Sequence, residues 1–415
     1  MKAITFAAPI PTYLLTMAAG ALAPRLRVGR FACTRYGEVP DPALPGERWV
    51  RVRTRLGGIC GSDLAVVALA ASPATSPFSS FPFVLGHENV GVIESLGSAV
   101  RGLAVGERVV ANPLLACAAR GLEPACDACR AGHPSRCEHF SDGDVPPGML
   151  IGTTRGLGGS WGERFVAHET QLLRVPEAVP DRAAVLTEPL ACSVHAVRAD
   201  PPAPGERVLV VGAGSIGLLT LAALRALAPG SPVTVLARHG FQREHAERLG
   251  AARVVMGRGD HLAALAEAAG SRLLKTVIGP PAAVGGFDRA FVCIAGARGM
   301  EDALRVTRAG GMVVLLGNAR ALDGLDWTPL WLKELTLRGS LTYGAAPGPT
   351  PAGPRAAHAG ASRSDFAEAL AMIADGRADV APLLTHTFPL ADHAQALATA
   401  RGKGRSRSVK VAFGF

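Results

Sequence analysis

The chain has 415 residues, long enough for two domains of ordinary size, each with its own core. Hydrophobic residues make up 48% of it and Gly and Pro are scattered throughout, which excludes a disordered or fibrous protein and points to a globular α/β one. The formal charge of +9 is spread along the sequence with no basic run interleaved with aromatics, so no nucleic-acid partner is expected.

Met1 to Phe6 reads as a first strand. The stretch from Ala3 to Ala23 carries no charge, is flanked by Lys2 and Arg25, and ends in Ala21-Leu22-Ala23, the outline of a cleavable signal. Pro9, Pro11, Thr5, Thr12 and Thr16 interrupt it. A local helical insertion is therefore expected in place of a signal or a membrane segment. Trp49 to Arg55, Asn89 to Ser95 and Arg108 to Val110 then read as short strands punctuated by Gly and Pro, the pattern of an antiparallel β domain. Between them Ala68 to Ser80, rich in Ala, Ser and Pro, reads as a surface loop.

Of the eight cysteines, four are dispersed (Cys33, Cys60, Cys192, Cys293) and four fall in one stretch, Cys117-x8-Cys126-x2-Cys129-x7-Cys137. Four thiolates at such spacing can hold a closed tetrahedral zinc that staples a loop with little core of its own. The alternative is a set of buried free thiols. Metal-site spacing suits a reducing cytoplasm better than a disulfide framework, so a cytoplasmic setting is expected.

From about Pro204 onward strands and helices alternate. Val208 to Val211, Val233 to Leu236, Arg253 to Met256, Phe287 to Ile294, Met312 to Leu316 and Leu335 to Leu341 are β runs, and Ile216 to Leu227 is a buried helix. That alternation predicts an α/β fold with a doubly wound parallel sheet of the Rossmann type. Gly344 to Ser364, rich in Gly, Pro and Ala, reads as a link back to the β domain. Phe366 to Ile373 follows as an amphipathic helix and Val409 to Phe413 as a closing strand.

Directly after the strand Val208 to Val211 comes Gly212-Ala213-Gly214-Ser215-Ile216-Gly217. In this strand–turn–helix setting the glycines permit a tight turn and close approach of a pyrophosphate, and the helix N-terminus offers its unpaired N–H groups. A nicotinamide dinucleotide is the expected ligand, with Gly212, Gly214, Ser215, Ile216 and Gly217 as its contacts. An Asp or Glu about 20 residues on would hold a ribose 2′-hydroxyl. Here Ala237 stands at that place, followed by Arg238, His239 and Arg243, so a 2′-phosphate meets cations and no carboxylate. NADP(H) is favoured over NAD(H). In the simpler alternative Arg238 stacks on the adenine with its charge in solvent.

Three further segments supply metal-ligand chemistry: Cys60-Gly61-Ser62-Asp63, Gly86-His87-Glu88, and Glu188-Pro189-Leu190 followed by His195. A thiolate, an imidazole and a carboxylate with one open position make a catalytic zinc site. Singly, each has a plain structural reading: a small buried residue, a core histidine, an acid at a helix start.

Taken together these motifs resemble the zinc-containing medium-chain dehydrogenase/reductase family, the group of alcohol, polyol, glucose and threonine dehydrogenases. The resemblance runs from Met1-Lys2-Ala3 through Gly57 to Asp63, Gly86-His87-Glu88, the cysteine cluster, Glu188-Pro189-Leu190 and the Gly-rich turn to Lys333-Glu334-Leu335-Thr336 and Arg338-Gly339-Ser340. It implies a GroES-like catalytic domain built from both chain ends (1–196 and, after a linker, 344–415), with a Rossmann domain (197–343) between. It also implies an active site in the cleft and two zincs per chain, one catalytic and one structural.

Carried over, Cys60 and His87 are zinc ligands, Glu188 binds zinc directly or through water, and Glu88 and Asp63 are outer or exchanging groups. Ser62 is the proton-passing hydroxyl. The implied activity is hydride transfer between a small-molecule alcohol or carbonyl substrate and the nicotinamide, by a homodimer or homotetramer. Two other readings stay open: a zinc-independent quinone or enone reductase of the same fold, and a non-catalytic NADP(H)-binding redox sensor.

The chain departs from the family pattern in three places. Ala65 stands where many relatives carry an outer relay histidine. Glu123 stands where the first cysteine of the cluster is usual, so either Cys117 reaches in or Glu123 substitutes. The Ala8 to Leu26 insertion has no counterpart.

Overall fold

The computed structural model describes residues 1–344 and 364–415. Most of the Gly344 to Ser364 stretch lies outside the described residues. Chain contacts group the protein into two units, one of residues 1–188, 342–374 and 384–415, the other of 189–341 and 375–383.

The first unit is built on a seven-stranded sheet. Its order runs Leu384–Pro389, Lys410–Gly414, Trp49–Gly58, Glu88–Leu96, Arg108–Ala111, Leu172–Arg174, with Arg164–His168 also paired to Trp49–Gly58. The long strand Trp49–Gly58 shows why it forms. Trp49, Val50, Val52 and Thr54 are buried while Arg51, Arg53 and Arg55 face outward, the alternation of a half-buried strand. All its neighbours are antiparallel to it, as expected, but Leu384–Pro389 and Lys410–Gly414 run parallel to each other. A smaller three-stranded sheet joins Lys2–Phe6 to Thr34–Glu38 and Phe83–Val84. Its core gathers Ile4, Phe6, Leu85, Trp161 and Phe413, so both chain ends meet in one apolar cluster.

The second unit holds a six-stranded parallel sheet in the order Arg253–Met256, Val233–Ala237, Val208–Val211, Phe287–Val292, Thr307–Leu315, Thr336–Gly339. All four residues of Val208–Val211 are 0% exposed, as a parallel strand covered on both faces requires. The order reverses between Val208–Val211 and Phe287–Val292, the place where open α/β sheets bind ligands beyond their strand ends. The doubly wound fold read from the alternation is the fold observed.

Local differences are informative. The expected loop from Ala68 to Ser80 contains a short 3-10 helix, Pro73–Phe78, started by Pro73. A hairpin of Arg272–Leu274 with Ala282–Val284 is too short to leave a periodic signal. The N-terminal insertion is the helix Ile10–Leu22, with Pro11 in its first turn. Among the described residues no helix is long and apolar enough to cross a membrane.

Candidate active site

Cys60 follows the strand Trp49–Gly58 by two residues and stands at the N-cap of the helix Gly61–Val67. Asp63, three residues on, turns back so that its Oδ2 accepts the Cys60 backbone N–H at 3.0 Å. Its other oxygen, Oδ1, lies 3.3 Å from His87 Nδ1. One carboxylate, 3% exposed, thus holds the Cys60 backbone and faces the imidazole as an ion-pair partner. Ser62 occupies the first turn of the same helix, partly exposed, and Ala65 follows.

His87 and Glu88 arrive from the start of the strand Glu88–Leu96, and both are buried. Glu88 Oε1 accepts from Lys410 Nζ at 2.5 Å, and Lys410 also reaches Ile59 O at 3.4 Å. Gly58 makes room for this pair, because a Cβ there would stand 2.0 Å from Glu88 Oε2. Lys410 was not singled out in the sequence. It lies some 320 residues from Glu88, and a lysine in a closing strand ordinarily faces solvent.

Glu188, also buried, begins the helix Thr187–Arg198 within the first unit, whereas His195 belongs to the second.

These groups feel one another's charge. Burial opposes the His87 imidazolium, but Asp63 and Cys60 outweigh it and hold its pKa well above the ordinary value. Burial pushes Glu188 up to about 7, with Glu88 and Asp63 adding and His87 and Lys410 opposing. Burial also opposes the Lys410 charge, yet Glu88 and Cys60 raise its pKa, while burial beside Lys410 lowers that of Lys403. His87 Nδ1 and Glu88 Oε2 are buried without a hydrogen-bond partner. A half-buried thiol, an imidazole and three buried carboxyls, with two of their polar atoms unpartnered, supply the donor types of a site for a divalent cation.

The cysteine stretch folds differently. The sulfurs of Cys117, Cys126, Cys129 and Cys137 all lie within 4.8 Å of one another, the one group so close-set among the described residues. Cys60, His87 and Glu188 are not drawn as tightly. Hydrogen bonding from Cys129 pulls Cys137 down to about 5, while burial pushes Cys117 up to about 11. Such crowded thiols ionise together only around a cation, so the set fits a tetrahedral zinc. Cys117 stands in the cluster with the other three cysteines, and Glu123 is exposed.

Sequence reasoning missed the hub of this lobe, Arg120. It is 0% exposed and donates to the carbonyls of Leu115, Asp142, Val145, Pro146 and Gly148.

In the second unit the turn Gly212–Gly217 caps the strand Val208–Val211 and opens the helix Ser215–Leu227, with Gly214 at its N-cap. A Cβ on Gly217 would sit 1.7 Å from Gly212 O, so the helix can pack onto the turn only with glycine there. Ser215 and Ile216 fill the first helical turn between them.

Arg238 and Arg243 are exposed just beyond the strand Val233–Ala237. Gln242 Oε1 accepts the backbone N–H groups of Arg238 and His239, fixing that turn. Burial first, then the charges of Arg238 and Arg258, lower the His239 pKa. Arg258 is a third cation here that the sequence reading passed over. The signal was its place just after Arg253–Met256, the parallel neighbour of Val233–Ala237.

Residues 46–177 match the family described as the alcohol dehydrogenase GroES-like domain, and residues 215–375 match that described as zinc-binding dehydrogenase. The chain is 30% identical over 367 residues to L-idonate 5-dehydrogenase of Vitis vinifera, covering 88% of this chain and 87% of that protein. It is 31% identical over 359 residues to L-galactonate-5-dehydrogenase of Escherichia coli, covering 86% and 88%. A Sinorhizobium meliloti protein described as a zinc-binding dehydrogenase, solved with NADP bound, superposes with a TM-score of 0.67 at 24% identity, covering 92% and 95%.

Proposed function

The chain belongs to the zinc-containing medium-chain dehydrogenase/reductase family, and from that premise we propose that it is a zinc-dependent alcohol dehydrogenase or carbonyl reductase using NADP(H). Its proposed substrates are polyhydroxylated, of the sugar-alcohol or sugar-acid kind. The observation that carries the reading is the buried set of Asp63, His87, Glu88 and Glu188 beside the half-buried Cys60, in which His87 Nδ1 and Glu88 Oε2 are left without a hydrogen-bond partner.

In this reading Cys60, His87 and Glu188 hold the catalytic zinc, Glu88 exchanges with them, and Asp63 holds the Cys60 backbone and faces the imidazole. When bound, zinc would supply Lewis acidity that draws alcohol ionisation toward neutral pH, much as it lowers the pKa of bound water to about 7. Ser62 Oγ takes the proton from the substrate hydroxyl and hands it to water, since Ala65 offers no imidazole to receive it. The turn from Gly212 to Gly217 and the amides of Ser215 and Ile216 bind the cofactor pyrophosphate. Arg238, Arg243 and Arg258, with Ala237 in the usual carboxylate position, favour a 2′-phosphate. Cys117, Cys126, Cys129 and Cys137 hold a second, structural zinc.

The test is the zinc content per chain by elemental mass spectrometry, for the wild type and Cys60→Ala. The expected result is two zincs falling to one, with cofactor binding nearly intact and turnover abolished. A single zinc that the substitution leaves untouched overturns the catalytic-metal reading and moves the assignment to a zinc-independent reductase.

A further inference from the structure

The helix Ile10–Leu22 has one side packed and one side that is exposed among the described residues. On the packed side Thr16, 1% exposed, donates its hydroxyl to Thr12 O at 2.7 Å and accepts the Cys33 N–H at 3.0 Å. Tyr13 lies against the cluster that contains Ala396, Leu397 and Ala400. On the other side Ile10 is 76% exposed, Leu14 53%, Leu15 55%, Met17 51% and Leu22 86%. Pro11, Ala18 and Ala21 complete that face, so every outward position is apolar. A surface helix ordinarily turns polar side chains to water, and one apolar all round is ordinarily buried. The plain insertion read from the sequence accounts for the packed side only.

The charge around the helix points to what covers the rest. Before Glu38 there is no carboxylate side chain, but there are Lys2, Arg25, Arg27, Arg30 and Arg35. After Asp392 there is again none, while Arg401, Lys403, Arg405 and Arg407 follow. The fold brings the two acid-free ends together, and Arg401 feels the charge of Arg27. Arg25, Arg30, Arg401 and Arg405 are exposed, and the Arg30 guanidinium lies 5.6 Å from the ring centre of Phe31, itself 72% exposed.

We propose that the outer face of the helix Ile10–Leu22 docks on the surface of an anionic lipid bilayer, lying in the headgroup plane with the neighbouring arginines on lipid phosphates. Thirteen residues span about 20 Å, too short to cross a bilayer but suited to lying along it. A second copy of this chain is the poorer occupant. A two-fold contact through the same face would set the arginine rim against its own image, and neither acid-free end of the chain supplies a carboxylate side chain to relieve it.

The test is flotation of the full chain with vesicles of phosphatidylcholine alone and of phosphatidylcholine mixed equally with phosphatidylglycerol. Wild type is expected to float with the mixed vesicles only, and to be released by high salt. Leu14→Glu with Leu15→Glu should abolish flotation while circular dichroism stays unchanged. Arg25→Ala with Arg30→Ala, both exposed, should weaken partitioning about 25-fold, at roughly fivefold per cation. Failure of the wild type to float, or equal flotation with both vesicles, overturns the proposal. So does a loss of self-association by the Leu14→Glu, Leu15→Glu protein in sedimentation equilibrium without any effect on lipid binding, which would assign the face to a second copy.

Discussion

His168 is 5% exposed, with its ring edge against Trp49 and its Nδ1 2.8 Å from Thr170 Oγ1. Burial and the nearby Arg48 push its pKa down from 6.5 to about 4. The unfolded chain therefore takes up this proton first on acidification. The contribution to stability is complete above about pH 6.5, falls as the pH drops toward 4, and levels off below. The full loss is about 3 kcal/mol. In His168→Gln, melting temperature should decline less between pH 7 and 5 than in the wild type, and an identical decline would refute the assignment.

Residues of this kind show where sequence reading stops. Cys60, His87 and Glu188 stood out through the motifs around them taken together, since singly each has a plain structural reading. Lys410, Arg120 and Arg258 did not, because single cations are ordinarily solvated. Only the register of Lys410–Gly414 against Trp49–Gly58, and of that strand against Glu88–Leu96, places the Lys410 ammonium on Glu88.

At the scale of elements, the long apolar runs were legible. Val208–Val211 and Ser215–Leu227 read correctly because burial on both sides leaves an unbroken hydrophobic signature. The parallel pairing of Leu384–Pro389 with Lys410–Gly414 was not, since Leu384–Pro389 mixes polar and apolar residues without a clean period.

The neighbouring strands Val233–Ala237 and Arg253–Met256 also carry the proposed cofactor choice, because their parallel register sends Arg238 and Arg258 off the same edge. Arg243 contributes less, being paired at 3.6 Å with exposed Glu247. Arg238→Glu is expected to raise the Kd for NADPH at least tenfold, the cost of one charge-assisted phosphate contact, with little change for NADH. Equal weakening of both cofactors, measured by fluorescence titration, would count against a 2′-phosphate site.

For the whole molecule, the division into two units has a thermal consequence. The first unit contains the cysteine lobe, and the second has a core of its own around Leu209, Leu236, Phe287 and Val313. Stripping the proposed structural zinc with a chelator should destabilise only the first unit. Calorimetry should then show one transition lowered by about 10 °C or more and the other in place. A uniform downward shift of a single transition would mean that the units melt as one body.

The strand Lys410–Gly414 lies inside the seven-stranded sheet, between Leu384–Pro389 and Trp49–Gly58, with Phe413 packed at 5.2 Å on Trp161. On the ribosome, residues 49–58 are made hundreds of positions before the strand that must lie beside them. Until residue 414 emerges, one edge of the sheet stays open and Glu88 stays without its counter-ion. The nascent chain thus carries the whole second unit before the first can close. A chain that stops short even by the length of that last strand is left with an open sheet edge and with Glu88 lacking Lys410.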